Sequence, residues 1–159
     1  MLGRGIAVAI AVAILDQLAK FGVLAYFAAH PEAGRHVFVT EFFNLVLTMN
    51  RGISFGMFSG DRRLDEIILV VLALVIMAGM LIWLRRATST LLAVAIGMII
   101  GGAAGNALDR VVRGAVVDFL DFHLGQWHPF VFNLADAAIS IGVGLLILDG
   151  LLSRRDESR

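Results

Sequence analysis

No cysteine occurs in this sequence, which excludes disulfides, a cysteine nucleophile, thiolate metal sites and lipidation of the chain on cysteine. Charge is also scarce. Only 16% of residues are charged, against about 25% in an average soluble domain. The net charge is zero, which removes the electrostatic case for a nucleic-acid partner. Lysine is nearly missing: twelve of the thirteen basic residues are arginine, and the one lysine, Lys20, lies inside an apolar segment. There is no low-complexity linker and no repeat at a fixed period.

What is abundant is apolar sequence. Hydrophobic residues make up 59% of the 159 positions, and the mean hydropathy is +0.88. One soluble core cannot absorb that much, and a bilayer can. A spanning helix needs about 20 largely apolar residues. Four such runs are present, at roughly 5–27, 67–84, 87–108 and 132–152. The fold expected is an all-α membrane protein, one membrane domain over 1–159, with outer loops at 28–66 and 109–131. Arg4, Arg85, Arg86, Arg154, Arg155 and Arg159 flank the spans on one side, so the positive-inside rule places both termini in the cytoplasm. Arg35, Arg51, Arg62 and Arg63 in the 28–66 loop count against that orientation. A cleaved secretory signal over residues 1–29 is the rival reading of the first span, and Asp16 and Lys20 within it argue against cleavage.

The outer loops are not simply polar. Val37, Phe38 and Val39, residues 42–48, and Val116, Val117 and Phe119 are β-branched or aromatic enough for short strands, giving a small outward-facing β element. In the third span, Ala93, Gly97, Gly101 and Gly105 recur every fourth residue. Such a stripe lets helices approach closely and marks this span as the centre of the bundle.

Ionisable groups at membrane depth are costly and are candidates for function. Asp16 and Lys20 stand four apart on one helix face, either as an ion pair that fixes packing or as a direct substrate contact. Asn106 and Arg110 are also four apart, with Asp109 on an adjoining face. Asp118 and Asp136 both fall at the outer interface, with Arg110 and Arg113 as possible salt-bridge partners. Two carboxylates held close at low dielectric cannot both ionise, so they share a proton. The ionised one can deprotonate water, and the protonated one can polarise a peptide carbonyl. That is aspartyl protease chemistry, and it needs neither metal nor cofactor.

Two other patterns are weaker. Gly52 to Gly56 reads G-x-S-x-G around Ser54, but the strand–turn–helix frame that makes such a serine a nucleophile is missing. His30 and His36, and His123 and His128, lack the spacing of a helical zinc site, so no metal is expected.

In order along the chain, these residues resemble the bacterial lipoprotein (type II) signal peptidases. Asp16-Gln17-Leu18-Ala19-Lys20 resembles the family's D-Q-x-x-K block. Phe43-Asn44, continuing through Asn50-Arg51-Gly52-Ile53-Ser54-Phe55, resembles its N-x-G-x-[AS]-F block. Residues 101–110, running on to Val117-Asp118-Phe119, resemble the third, and Phe132-Asn133-Leu134-Ala135-Asp136 the last. The resemblance implies a membrane-embedded aspartyl endopeptidase with Asp118 and Asp136 catalytic. It implies that Asn50, Gly52, Asn106, Arg110 and Asn133 line the site, with Asp16 and Lys20 as a supporting pair. It further implies a diacylglyceryl-modified prolipoprotein substrate cut just before the lipidated Cys, membrane lipids as surroundings, and inhibition by globomycin. The location implied is the bacterial cytoplasmic (inner) membrane, with the active site toward the outer face. The alternatives are a small proton-coupled transporter or channel, which needs ionisable groups spread through the membrane, and a structural scaffold, which needs no paired acids.

Overall fold

The structure, a computed structural model, describes residues 1–52 and 62–157. Four long helices dominate it: α1 (Leu2–Ala29), α2 (Arg62–Leu84), α3 (Thr90–Arg113) and α4 (Leu134–Glu157). Each is long and apolar enough to cross a membrane. Four strands, β1 (His36–Thr40), β2 (Phe43–Asn50), β3 (Val116–Phe122) and β4 (Val131–Phe132), form one antiparallel sheet in the order β1-β2-β3-β4.

Local chemistry sets the helix ends. The Ser89 side chain accepts the Leu92 N–H at 2.9 Å, so α3 begins at Thr90 and not at the Ala87 expected from hydropathy. Gly114, at φ 71°, ends α3 in the left-handed conformation, with its N–H on the Arg110 carbonyl. Arg110 and Arg113 occupy the last turn, where cations suit the helix dipole. α2 begins at Arg62, before the expected Ile67, because its first turn is polar. The fourth span was expected from Phe132. Val131 and Phe132 instead pair with β3, and the helix starts at Leu134.

α3 is the central helix and packs against the other three. Of its apolar window, 56% is buried inside the bundle, against 17% for α1 and for α4. The small-residue stripe is the cause. A Cβ on Gly101 would lie 2.5 Å from the Ala9 carbonyl oxygen of α1, and one on Gly97 would collide with the Gly5 carbonyl. Gly102 and Gly142 make the same close approach between α3 and α4. Elsewhere the helices present Ile, Leu and Val outward, as lipid contact requires.

The sheet sits at one end of this bundle. Val117 and Phe119 of β3 bury against Val23 and Phe27 of α1, with Val37 and Leu45 packed around them. β2 and β3 pair Thr48 with Asp118 and Asn50 with Val116. β3 therefore carries Asp118 back to the end of α3, beside the start of α4.

Candidate active site

At the sheet end of the bundle the apolar interior gives way to a continuous polar network. Its deepest part is ionic. Lys20 Nζ lies 2.8 Å from Asp16 Oδ2 and 2.8 Å from Asp109 Oδ2, with all three side chains fully buried. Its third donor goes to Asn106 Oδ1 at 3.0 Å. An ammonium has three protons, and all three are used. Asp16 Oδ1 accepts the Ala135 N–H of α4 at 2.9 Å, and Asp109 Oδ2 accepts the Val117 N–H of β3 at 3.1 Å. The cluster thus ties α1, α3, α4 and β3 together. Asp109 also holds Arg113, and Gln17 donates to it at 3.0 Å.

The next layer is built of amides. Asn106 Oδ1 accepts from Lys20 and from Asn133 Nδ2 at 3.2 Å, so its Nδ2 must point the other way. There it donates to Asp136 Oδ1 at 2.8 Å. Asn133 and Asp136 cap the start of α4 reciprocally. The Asp136 N–H donates to Asn133 Oδ1 at 3.0 Å, and the Asn133 N–H to Asp136 Oδ2 at 3.3 Å. The remaining Asn133 donor reaches Asp118 Oδ1 at 2.6 Å. Asn50, at the end of β2, donates to Asp118 Oδ2 at 2.8 Å. Gly52, at φ 99°, turns the chain so that its N–H meets Asn50 Oδ1 at 2.9 Å.

Asp118 and Asp136 are therefore linked through one side chain, that of Asn133, from two different elements. Their surroundings differ. Asp118 is 2% exposed, while Asp136 is half-buried. Burial pushes the Asp118 carboxyl above the usual carboxylate range, and the charge of Asp136 pushes the same way. Hydrogen bonds from Asn50 and Asn133 oppose the shift without cancelling it. Asp136 opens onto a cavity of about 390 Å³ lined also by Phe130, Val131, Phe132, Ala137, Ser140 and Ile141.

The arginines are not salt-bridge partners of this pair among the described residues. Arg113 is engaged by Asp109 and Gln17, and Arg110 donates to the Asn106 carbonyl at 3.2 Å. Arg110 Nε is buried with no hydrogen-bond partner among the described residues. All nine residues singled out from the sequence, Asp16, Lys20, Asn50, Gly52, Asn106, Arg110, Asp118, Asn133 and Asp136, belong to this one network. Ser54 lies outside the described residues. His123 and His128 stack at 4.6 Å, with His128 on Asp121 at 2.9 Å. Among the described residues no group of three His, Cys, Asp or Glu side chains is placed to hold a metal ion. Burial alone would raise the Asp121 carboxyl, but hydrogen bonds from His128 and Asn44 outweigh it and leave it below the usual range.

Asp109 and Gln17 are the site residues that sequence reasoning missed. The available signal was that Asp109 lies between Asn106 and Arg110 on α3 and is the only acid in that helix.

A protein-family model described as signal peptidase (SPase) II matches residues 8–152. The lipoprotein signal peptidase of Beijerinckia indica subsp. indica is 47% identical over 140 residues, which cover 88% of this chain and 83% of that protein. The one from Rhodopseudomonas palustris (strain TIE-1) is 42% identical over 154 residues, covering 93% and 92%. A bacterial membrane enzyme solved by the in meso method at 2.3 Å superposes with a TM-score of 0.76 at 30% identity, covering 99% of this chain and 92% of the other. A second, at 1.9 Å, gives a TM-score of 0.77 at 29% identity, with coverage of 94% and 93%.

Proposed function

The chain belongs to the signal peptidase II family, and from that membership we propose that Asp118 and Asp136 are the dyad with which it cuts its substrate. The protein is a multi-pass membrane protease that removes signal peptides from prolipoproteins. One observation carries the assignment of the dyad: Asn133 donates to Asp118 at 2.6 Å while exchanging cap hydrogen bonds with Asp136. Asp136 of this pair also opens onto a cavity.

In the resting site Asp118 holds the shared proton, since its burial and the Asp136 charge both favour the neutral form. Asp136, on the open side, is the base. Asp136 takes a proton from a water as that water attacks the scissile carbonyl carbon. Asp118 gives its proton to the carbonyl oxygen. The resulting gem-diol collapses when Asp136 passes its proton to the leaving nitrogen. The C–N bond breaks, and a gem-diol hydroxyl returns a proton to Asp118. Both carboxyls end as they began, with no cofactor consumed. Asn50, Asn106 and Asn133 hold the two acids in place, Gly52 shapes the Asn50 turn, and Asp16 and Lys20 anchor Asn106 from below.

The finer features follow the family resemblance. The substrate carries a diacylglyceryl group on the Cys that follows the cut, globomycin occupies the same site, and the membrane is the bacterial cytoplasmic one with both termini inside. An acyl-anchored substrate keeps its scissile bond near the outer interface, where a dyad at the end of the helices meets it. The test is replacement of each acid. Asp118→Asn and Asp136→Asn nearly preserve shape and are expected to insert and fold, yet each abolishes cleavage of lipid-modified prolipoprotein. Because the pair acts as a unit, the double variant is scarcely worse than either alone. A folded single variant that cuts at near wild-type rate defeats the assignment.

A further inference from the structure

A signal peptide crosses a membrane as a helix, and in a helix the scissile carbonyl is hydrogen-bonded and shielded. Cleavage therefore requires local unwinding, which leaves backbone N–H and C=O groups unpaired at the edge of the hydrocarbon. Each such group is costly there unless the enzyme supplies a partner. The structure contains one backbone edge placed to do so.

β4 is the last strand of its sheet. β3 pairs with it on one side, Leu120 with Phe132 and Asp121 with Val131, and no strand lies on its other side among the described residues. An edge strand presents half of its N–H and C=O groups outward. The chain passes directly from β4 through Asn133 to Asp136, so this edge and one catalytic carboxyl share a wall. That wall is the cavity of about 390 Å³ already noted. Its lining falls into two parts. Ala137, Ser140 and Ile141 lie on α4 at membrane depth, and Phe130, Val131 and Phe132 lie on the sheet side, with Asp136 between them. A chain following this trough from the membrane passes α4 first, then Asp136, then the edge of β4. Two of the three side chains on the α4 part, Ala137 and Ser140, are small, which leaves room for a larger one from the substrate against Ile141.

We propose that the unwound stretch of the signal peptide around the cut adds to the outer edge of β4 (Val131–Phe132) as a short fifth strand, seating one apolar side chain against Ala137, Ser140 and Ile141. This rests on the assignment of Asp118 and Asp136 as the dyad. Strand addition gives backbone hydrogen bonds for affinity and a pocket for alternate side chains for selectivity. The backbone contacts hold the peptide whatever its sequence. Ser140 and Ala137 become the residues that set which side chain is accepted.

The experiment uses the full-length enzyme in bilayers and a synthetic diacylated prolipoprotein segment. Single backbone amides near the cut, but not the scissile one, are replaced by esters. In an added strand only every second N–H faces the edge, and a two-residue edge turns one residue's carbonyl outward, so kcat/KM is expected to fall about fivefold to tenfold at one position and to stay unchanged at the positions on either side of it. Equal loss at adjacent positions, or loss at none, overturns the proposal. In a second arm, Ser140→Leu is expected to raise KM about tenfold for a substrate with a large apolar residue at one position of the signal peptide. For the same segment with Ala at that position, the rise in KM should be several times smaller. The same rise in KM for both substrates overturns the pocket. Asp118→Asn runs alongside. If it abolishes cleavage while the ester pattern is absent, strand addition fails and the dyad stands. If it cuts normally, the dyad itself fails.

Discussion

Lys20 is the residue whose removal the structure makes most informative. It is fully buried, touches two carboxylates at 2.8 Å each, and gives its third proton to Asn106 at 3.0 Å. Lys20→Met keeps most of the volume and removes the only cation between Asp16 and Asp109. Breaking a buried pair by deleting one partner costs about 3–5 kcal/mol, because the charge left behind has lost its solvation and its counter-ion. For a chain of this size each kcal/mol moves the unfolding midpoint by about 2–4 °C. Lys20→Met is therefore expected to lower the midpoint in detergent by roughly 6–20 °C. The sharper test is the second step. Asp109 keeps Arg113, Gln17 and the Val117 N–H after Lys20 is gone, whereas Asp16 keeps only its neutral donors. Asp16→Asn added to Lys20→Met should then recover a large part of the lost stability. Thermal unfolding of the purified single and double variants measures this directly. If the double variant is no more stable than Lys20→Met, the cluster is not held by charge balance and the reasoning is refuted. Activity should not recover in parallel, because Asn106 has still lost the contact that turns its amide toward Asp136.

The raised Asp118 carboxyl means that the folded state holds a proton the unfolded chain has released, so this group's contribution to stability falls as pH rises. The fall begins near the unfolded value of about 3.9 and ends at the folded one, and Asp118→Asn should flatten that part of a stability–pH curve. An unchanged slope would remove Asp118 as its source. Cleavage should follow a bell-shaped pH profile, one limb for each acid of the coupled pair, and a single-limbed profile would contradict proton sharing. Ser54→Ala should retain most activity in a prolipoprotein cleavage assay, since the proposed nucleophile is a water activated by Asp136. A reporter fused after Arg159 or placed near Arg86 should read out cytoplasm, and one near Asp61 the outside. An external C-terminus would invert the orientation.

The sequence and the structure part company along a physical line. The four helices were legible because long uncharged runs have few other uses, and the central place of α3 because its glycines recur at helical spacing. Helix ends were less so. Hydropathy counts residues that hydrocarbon tolerates, whereas caps decide where a helix stops, and Ser89 and Asn133 move two of the starts inward. β4 was missed because two residues carry no periodicity, and only pairing with β3 makes them a strand. The same division runs through the active site. Asp16 and Lys20 were expected to pair because a single helix fixes the faces of residues four apart. Lys20 and Asp109 were not, since their contact depends on how α1 is rotated against α3, and no helical wheel contains that angle. The rotation is itself set by the glycine stripe. Gly105 brings α3 so near α1 that a Cβ there would lie 2.5 Å from Asp16 Oδ2. The residues that let the backbones touch thus also close the ion cluster. The cluster in turn orients Asn106, and Asn106 and Asn133 together hold the two aspartates. Packing and chemistry share the same few positions, so a methyl group added at Gly105 should disturb the dyad without touching it.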